Sequence, residues 1–127
     1  MASELRVDTL KDSSGNNSVG MSYVAEGTTK AWDKTNTAGS SIDDSFNISS
    51  LTDTATGTQG HNFTSSFATA GNVSAHATSN EQSSTILFTR DVSYARTTSK
   101  ITVAAYAWST PAYQDTAQGV GFLGDLA

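Results

Sequence analysis

The segment Lys100–Thr110, "KITVAAYAWST", constrains the fold more than any other stretch of the chain. Ile101, Val103, Ala105 and Ala107 alternate with Thr102, Ala104, Tyr106 and Trp108, a period of two that belongs to a strand. Both sets carry apolar area, so the strand is expected at the centre of a sheet or at a contact between subunits. Pro111 ends it.

Shorter strand signals precede it. "SFNISSL" sets Phe46 and Ile48 against Ser45, Asn47 and Ser49, and "TDTATGTQG" turns the chain into a partner, "HNFTSSF". "GNVSAHATS" sets Val73, Ala75 and Ala77 against Asn72, Ser74 and His76, and "TILFT" is a short run suited to a buried strand. "GVGFLGDLA" supplies a last strand through Val120 and Phe122. Residues 20–32 are ambiguous, since Tyr23, Val24 and Ala25 would begin a helical turn that Gly27 cuts short. Six to eight short strands with turn signals between them predict an all-β chain, an antiparallel β-sandwich or jelly-roll-like domain over residues 20–127.

Composition decides against disorder. Ser and Thr fill 38 of 127 positions, hydrophobic residues make up 36% and charged residues only 15%. A disordered chain of low hydrophobicity is normally rich in charge, which is missing here. Branched Thr favours extended backbone, so the excess reads as thin β structure with polar outer faces.

Residues 1–19 read differently. "VDTLKDSSGNN" offers Val7, Thr9 and Leu10 and then a cluster of turn formers through Gly15, Asn16 and Asn17. One short apolar face followed by a turn cannot stabilise itself, which predicts an extended N-terminal arm whose other half belongs to another chain.

The net charge is −5, and the seven basic residues form no run, which argues against nucleic acid as a partner. No window approaches 18 apolar residues, which argues against membrane insertion, and "MASELRVDTL" carries no apolar h-region of a secretory signal. Cysteine is absent, so no disulfide or thiolate metal site exists.

Catalytic chemistry is not indicated. "GVGFLG" matches G-x-G-x-x-G through Gly119, Gly121 and Gly124, but the three residues after it supply neither the following helix nor an acidic residue about twenty positions on, as a dinucleotide site requires. His61 and His76 lack metal-ligand spacing, and Asp43, Asp44 and Asp53 lack the oxygen density of a calcium loop. The expectation is no enzyme, no cofactor and no metal. Trp32, Tyr106, Trp108 and Tyr113 are expected as packing, subunit-contact or recognition aromatics. Asn16, Asn47, Asn62 and Asn72 each open an Asn-x-Ser/Thr triplet, to which little weight attaches in so Ser/Thr-rich a chain.

Three segments in register resemble a family. "ELRVDTLKDSSGNN" resembles the N-terminal segment of short tail-fibre-like and virion structural proteins of tailed bacteriophages, especially marine ones. "TTKAWDKTN" followed by "DSFNISSLTDTATG" is similar to that family's Lys-Ala-Trp segment and the strand and turn after it, and the chain stops on "GDLA" as many of its members do. The resemblance implies a non-enzymatic virion component, tail-fibre-like or an appendage subunit, attached through its N-terminal arm. It implies a homotrimer partnered by other virion proteins, with a host-surface glycan as a further partner. Two alternatives stand beside it: a head decoration or vertex protein that stabilises the capsid, and a carbohydrate-binding module.

Overall fold

The computed structural model describes residues 3–36, 38–79, 85–90 and 93–127. The chain opens with strands β1 (Thr9–Lys11) and β2 (Ser18–Gly20) and helix α1 (Met21–Gly27). The body follows as β3 (Ala31–Thr35), β4 (Ile42–Phe46), β5 (Ile48–Ala55), β6 (Thr58–Phe63), β7 (Ser74–Ser79), β8 (Thr85–Thr89), β9 (Lys100–Ala107), β10 (Ala112–Tyr113) and β11 (Gln118–Leu123). These form two antiparallel sheets packed as a sandwich, one ordered β4–β3–β11–β7 and the other built on β5–β6–β9. The all-β expectation holds, with more and shorter strands than the six to eight expected.

The segment 100–110 takes the central place that its alternation demands. Ala104 pairs with Thr58 on one side and Phe88 on the other, and Tyr106 pairs with Tyr113 and Ile86. Strands β6 and β10 therefore run end to end along one edge of β9, and β8 lies along the other. The junction between β6 and β10 depends on Gly57. Its φ is +65°, and a Cβ there would fall 2.6–2.8 Å from backbone atoms of Gln114 and Ala105. The Gly57 N–H donates to Asp115 Oδ1 at 2.6 Å, which ties the hairpin turn to the end of β10.

The interior has two chemically different halves. Ile101 and Val103 of β9, Phe63 of β6 and Ile48 of β5 meet Ala31, Val120 and Phe122 of the opposite sheet, with Phe67 closing one end. Phe63 packs edge-on against Phe67 and Phe122, at centroid distances of 4.8 and 5.0 Å. Beyond Phe122 the core turns polar. His61 of β6 lies 5.7 Å from the Phe122 ring and donates Nδ1–H to Asp33 Oδ2 of β3 at 2.7 Å, both side chains being fully buried. Gln59, Gln118, Thr35 and Thr116 are buried as well. Asp33 Oδ1, His61 Nε2, Gln59 Oε1 and both amide atoms of Gln118 find no hydrogen-bond partner among the described residues.

Two sequence expectations need correction. "SFNISSL" is not one alternating strand: the chain leaves the first sheet after Phe46 and enters the second at Ile48. Asn47 makes the corner at φ +58°, a left-handed conformation that asparagine tolerates better than most residues. Its Nδ2 donates to Lys30 O and Ser65 O, and its Oδ1 accepts from the Ser65 N–H at 2.7 Å. Phe46 consequently faces outward while Ile48 is buried. "TILFT" is likewise not buried throughout, since only Leu87 packs on the core and Ile86 and Phe88 are exposed. In the ambiguous segment 20–32, α1 forms without burying a residue.

The His61–Asp33 pair generates a stability prediction. Asp33→Ala leaves the buried His61 Nδ1–H without an acceptor and should cost about 2–5 kcal/mol in urea unfolding. Replacing both residues by leucine should restore a large part of that loss, because no polar group is then stranded.

Candidate functional site

The outer face of the sheet built on β9 carries an unusual density of aromatic side chains. Ile86, Phe88 and Arg90 occupy successive outward positions on β8, and Arg90 continues the register through its N–H to Thr102 O. Tyr106 stands between Ile86 and Tyr113 in the ladder, so one row crosses three strands. The Tyr106 and Tyr113 rings meet edge to face at 5.3 Å, and Phe88 lies 6.4 Å from Tyr113. Ala104, small and fully buried, leaves room on this face for the larger neighbours to converge. Trp108 continues the chain beyond Tyr106 with 65% of its surface exposed.

Arg90 sits among these rings. Its guanidinium carbon is 4.4 Å from the Tyr113 centroid and 5.1 Å from that of Tyr94, and Nη1 donates to Thr58 Oγ1 at 3.1 Å. Two rings and one hydroxyl set the plane of the guanidinium. Among the described residues no carboxylate pairs with it.

Of the aromatics singled out from sequence, the structure gathers Tyr106 and Tyr113, and Trp108 lies exposed in the turn two residues beyond Tyr106. Trp32 is elsewhere, on the outer face of the other sheet, opposite Phe46 on β4 and Gly121 on β11. Phe88, Arg90 and Tyr94 were missed. The Ile-x-Phe-x-Arg alternation of residues 86–90 was the available signal, hidden because the run looks uniformly apolar from Ile86 to Phe88.

A second candidate region is the N-terminal segment. Thr9 and Leu10 pair with Gly20 and Val19, and every described residue through Val19 is exposed, including Leu5, Val7 and Leu10. The first two residues of the 1–19 segment lie outside the described ones. The turn is organised by Asp12, whose carboxylate accepts from Asn17 Nδ2 at 2.7 Å and from the Asn16 N–H and the Ser14 hydroxyl at 3.0 Å. Gly15 supplies the left-handed residue at φ +73°. Among the described residues strands β1 and β2 pair with each other and with no other strand, and a cleft lined by Leu10, Lys11, Asp12, Asn17, Ser18 and Val19 opens along them.

The remaining motifs do not converge. His76 is exposed on β7, whereas His61 is sealed in the core. Asp43 lies 3.8 Å from Lys34, Asp44 accepts from the Ser45 N–H, and Asp53 pairs in the ladder with Gln59. Among the described residues no group of three His, Asp or Glu side chains is placed to hold a metal ion. Gly119 and Gly121 lie within β11, and Gly124 approaches Phe67, so the glycine motif serves strand packing. No known protein family, curated protein or solved structure matches the chain.

Asp12 gives the hairpin a pH dependence. The Asn17 side-chain amide, followed by the Ser14 hydroxyl and the Asn17 and Asn16 backbone, holds its carboxyl below the ordinary 3.8. A carboxyl lowered in the folded state stabilises fully above its unfolded pKa, and that contribution is lost as pH falls through the folded value. Amide NMR signals of Asn16 and Asn17 should therefore hold steady above about pH 5 and move towards random-coil positions in acid. Asp12→Asn should abolish that acid transition.

Proposed function

We propose that the chain is a non-enzymatic structural subunit of a tailed-bacteriophage virion, tail-fibre-like or part of an appendage, that attaches through its N-terminal segment. The observation that carries this reading is the hairpin of residues 9–20, with Leu5, Val7, Leu10 and Val19 exposed around it. A lone two-stranded hairpin is at best marginal in water. Among the described residues it pairs with no strand of the sandwich, so a neighbouring chain would supply an apolar partner for the exposed Leu10 and Val19.

Three further points support the reading. The resemblance of the N-terminal, Lys-Ala-Trp and C-terminal segments is in register along the chain. The all-β sandwich is a suitable projecting body for such an attachment. Its exposed Trp32–Phe46 face is suited to contact with other copies, as in a trimer, and the face around Tyr113 to contact with a cell surface.

Deletion of residues 1–17 tests the proposal. The truncated chain should keep the cooperative unfolding of the sandwich yet fail to enter particles. Particles that still carry the truncated protein would overturn the attachment role. Particles that lose adsorption while their heads keep heat resistance fit a fibre, whereas heads that become heat-labile would reassign the subunit to capsid decoration. Light scattering at micromolar concentration should give a trimer for the full chain.

A further inference from the structure

The aromatic face around Arg90 combines features that a sheet needs neither for folding nor for solubility. Ile86, Phe88, Tyr113 and Trp108 remain exposed although their sheet is already complete on its inner side. Arg90 is held at a fixed angle between Tyr94 and Tyr113 and lacks a carboxylate partner among the described residues, in a chain whose net charge is −5. In an acidic protein, a guanidinium set beside two rings and unpaired among the described residues presents a local reversal of charge.

We propose that this face is a binding site for a carboxylate-bearing saccharide, a uronic-acid type of sugar. The exposed rings of Phe88, Tyr113 and Trp108 offer flat apolar surfaces for the C–H faces of pyranose rings, and the phenol hydroxyls of Tyr106 and Tyr113 serve as donors and acceptors for sugar hydroxyls. Arg90 supplies the charge. Its Nη1 bond to Thr58 leaves Nε and Nη2 without partners among the described residues, and a guanidinium fork pairs a carboxylate through two parallel hydrogen bonds. The flanking rings exclude part of the water from that pairing, which strengthens it.

Charge separates this occupant from its rivals. A neutral sugar would stack on the rings but leave the guanidinium unused. A polyphosphate chain would offer the arginine an anion but no C–H face for the rings to stack on, whereas a uronic-acid saccharide offers both. A second copy docked through the same face would bring Arg90 against Arg90 and add a second net negative chain. The site stands on this face alone and does not require that the protein belong to a virion.

The test is a titration of the full chain with an oligogalacturonate and with a neutral galactan oligosaccharide of equal length, followed by tryptophan fluorescence and amide NMR. Binding of the oligogalacturonate is expected to shift Trp108 and residues 85–90 and 112–113, to weaken with added salt, and to exceed binding of the neutral sugar about tenfold. Arg90→Gln should remove that preference and Arg90→Lys should restore only part of it. Trp108→Ala alters an exposed side chain and should weaken binding while the thermal melt stays where it was, and Tyr113→Ala should weaken binding as well. These two variants decide the matter if Arg90→Gln proves unstable. Absence of oligogalacturonate binding, equal affinity for the neutral sugar, or full affinity in Trp108→Ala and Tyr113→Ala would each overturn the proposal. So would conversion of an oligomer to a monomer by Trp108→Ala, since the face would then be a subunit contact. The titration uses purified protein, so its failure is distinct from a failure of particle incorporation.

Discussion

A hydrogen bond between facing sheets, from His61 Nδ1 to Asp33 Oδ2 at 2.7 Å, joins the polar part of the core beyond the three buried phenylalanines. The chain is poor in hydrophobic residues, and its three buried phenylalanines are concentrated on the Phe63–Phe67–Phe122 cluster at one end. The other end is filled by Asp33, His61, Gln59, Gln118 and threonines, packed where an ordinary sandwich would carry Val or Leu. A buried carboxylate is tolerated only with a partner, and here the partner comes from the opposite sheet. The pair therefore constrains which strand faces which: moving β6 by one residue against β3 would turn His61 outward and strand Asp33.

The same economy of apolar residues explains the corner at Asn47. One continuous segment serves both sheets, β4 in the first and β5 in the second, and the side chain at the corner is engaged from three directions. The reversal of phase at this residue sends Phe46 outward on the first sheet, next to Trp32, and Ile48 inward on the second. The exposed pair Phe46 and Trp32 is thus a consequence of a backbone event, a single left-handed residue, and not of any break in the hydrophobic pattern.

The His61 and Asp33 side chains are fully buried, while the candidate regions, an N-terminal hairpin and a sheet face, lie at the surface. The face around Arg90 is assembled from separate stretches, near residues 58, 86–90, 94, 106–108 and 113. It exists only because β8 and β10 flank the same end of β9. Spacing in the chain carries no trace of that juxtaposition, since Arg90 and Tyr113 are brought within 4.4 Å by sheet order alone.

By itself the sequence determined what depends on local periodicity and turn chemistry. The alternation of residues 100–108 puts Ile101, Val103 and Ala105 on one face, "ATG" forms the hairpin turn, and Val120 and Phe122 share one face of the last strand. The polar cluster Asp12–Asn17 is a turn because Asp12 can accept from the groups that follow it. What only the tertiary structure decided is everything that a period of two leaves undefined. A strand pattern says which residues share a face, not which sheet the face belongs to or what lies opposite. Hence the burial of His61 against Asp33, the outward turn of Ile86 and Phe88, and the meeting of Arg90 with Tyr94 and Tyr113 were settled by strand order, a property of the whole chain.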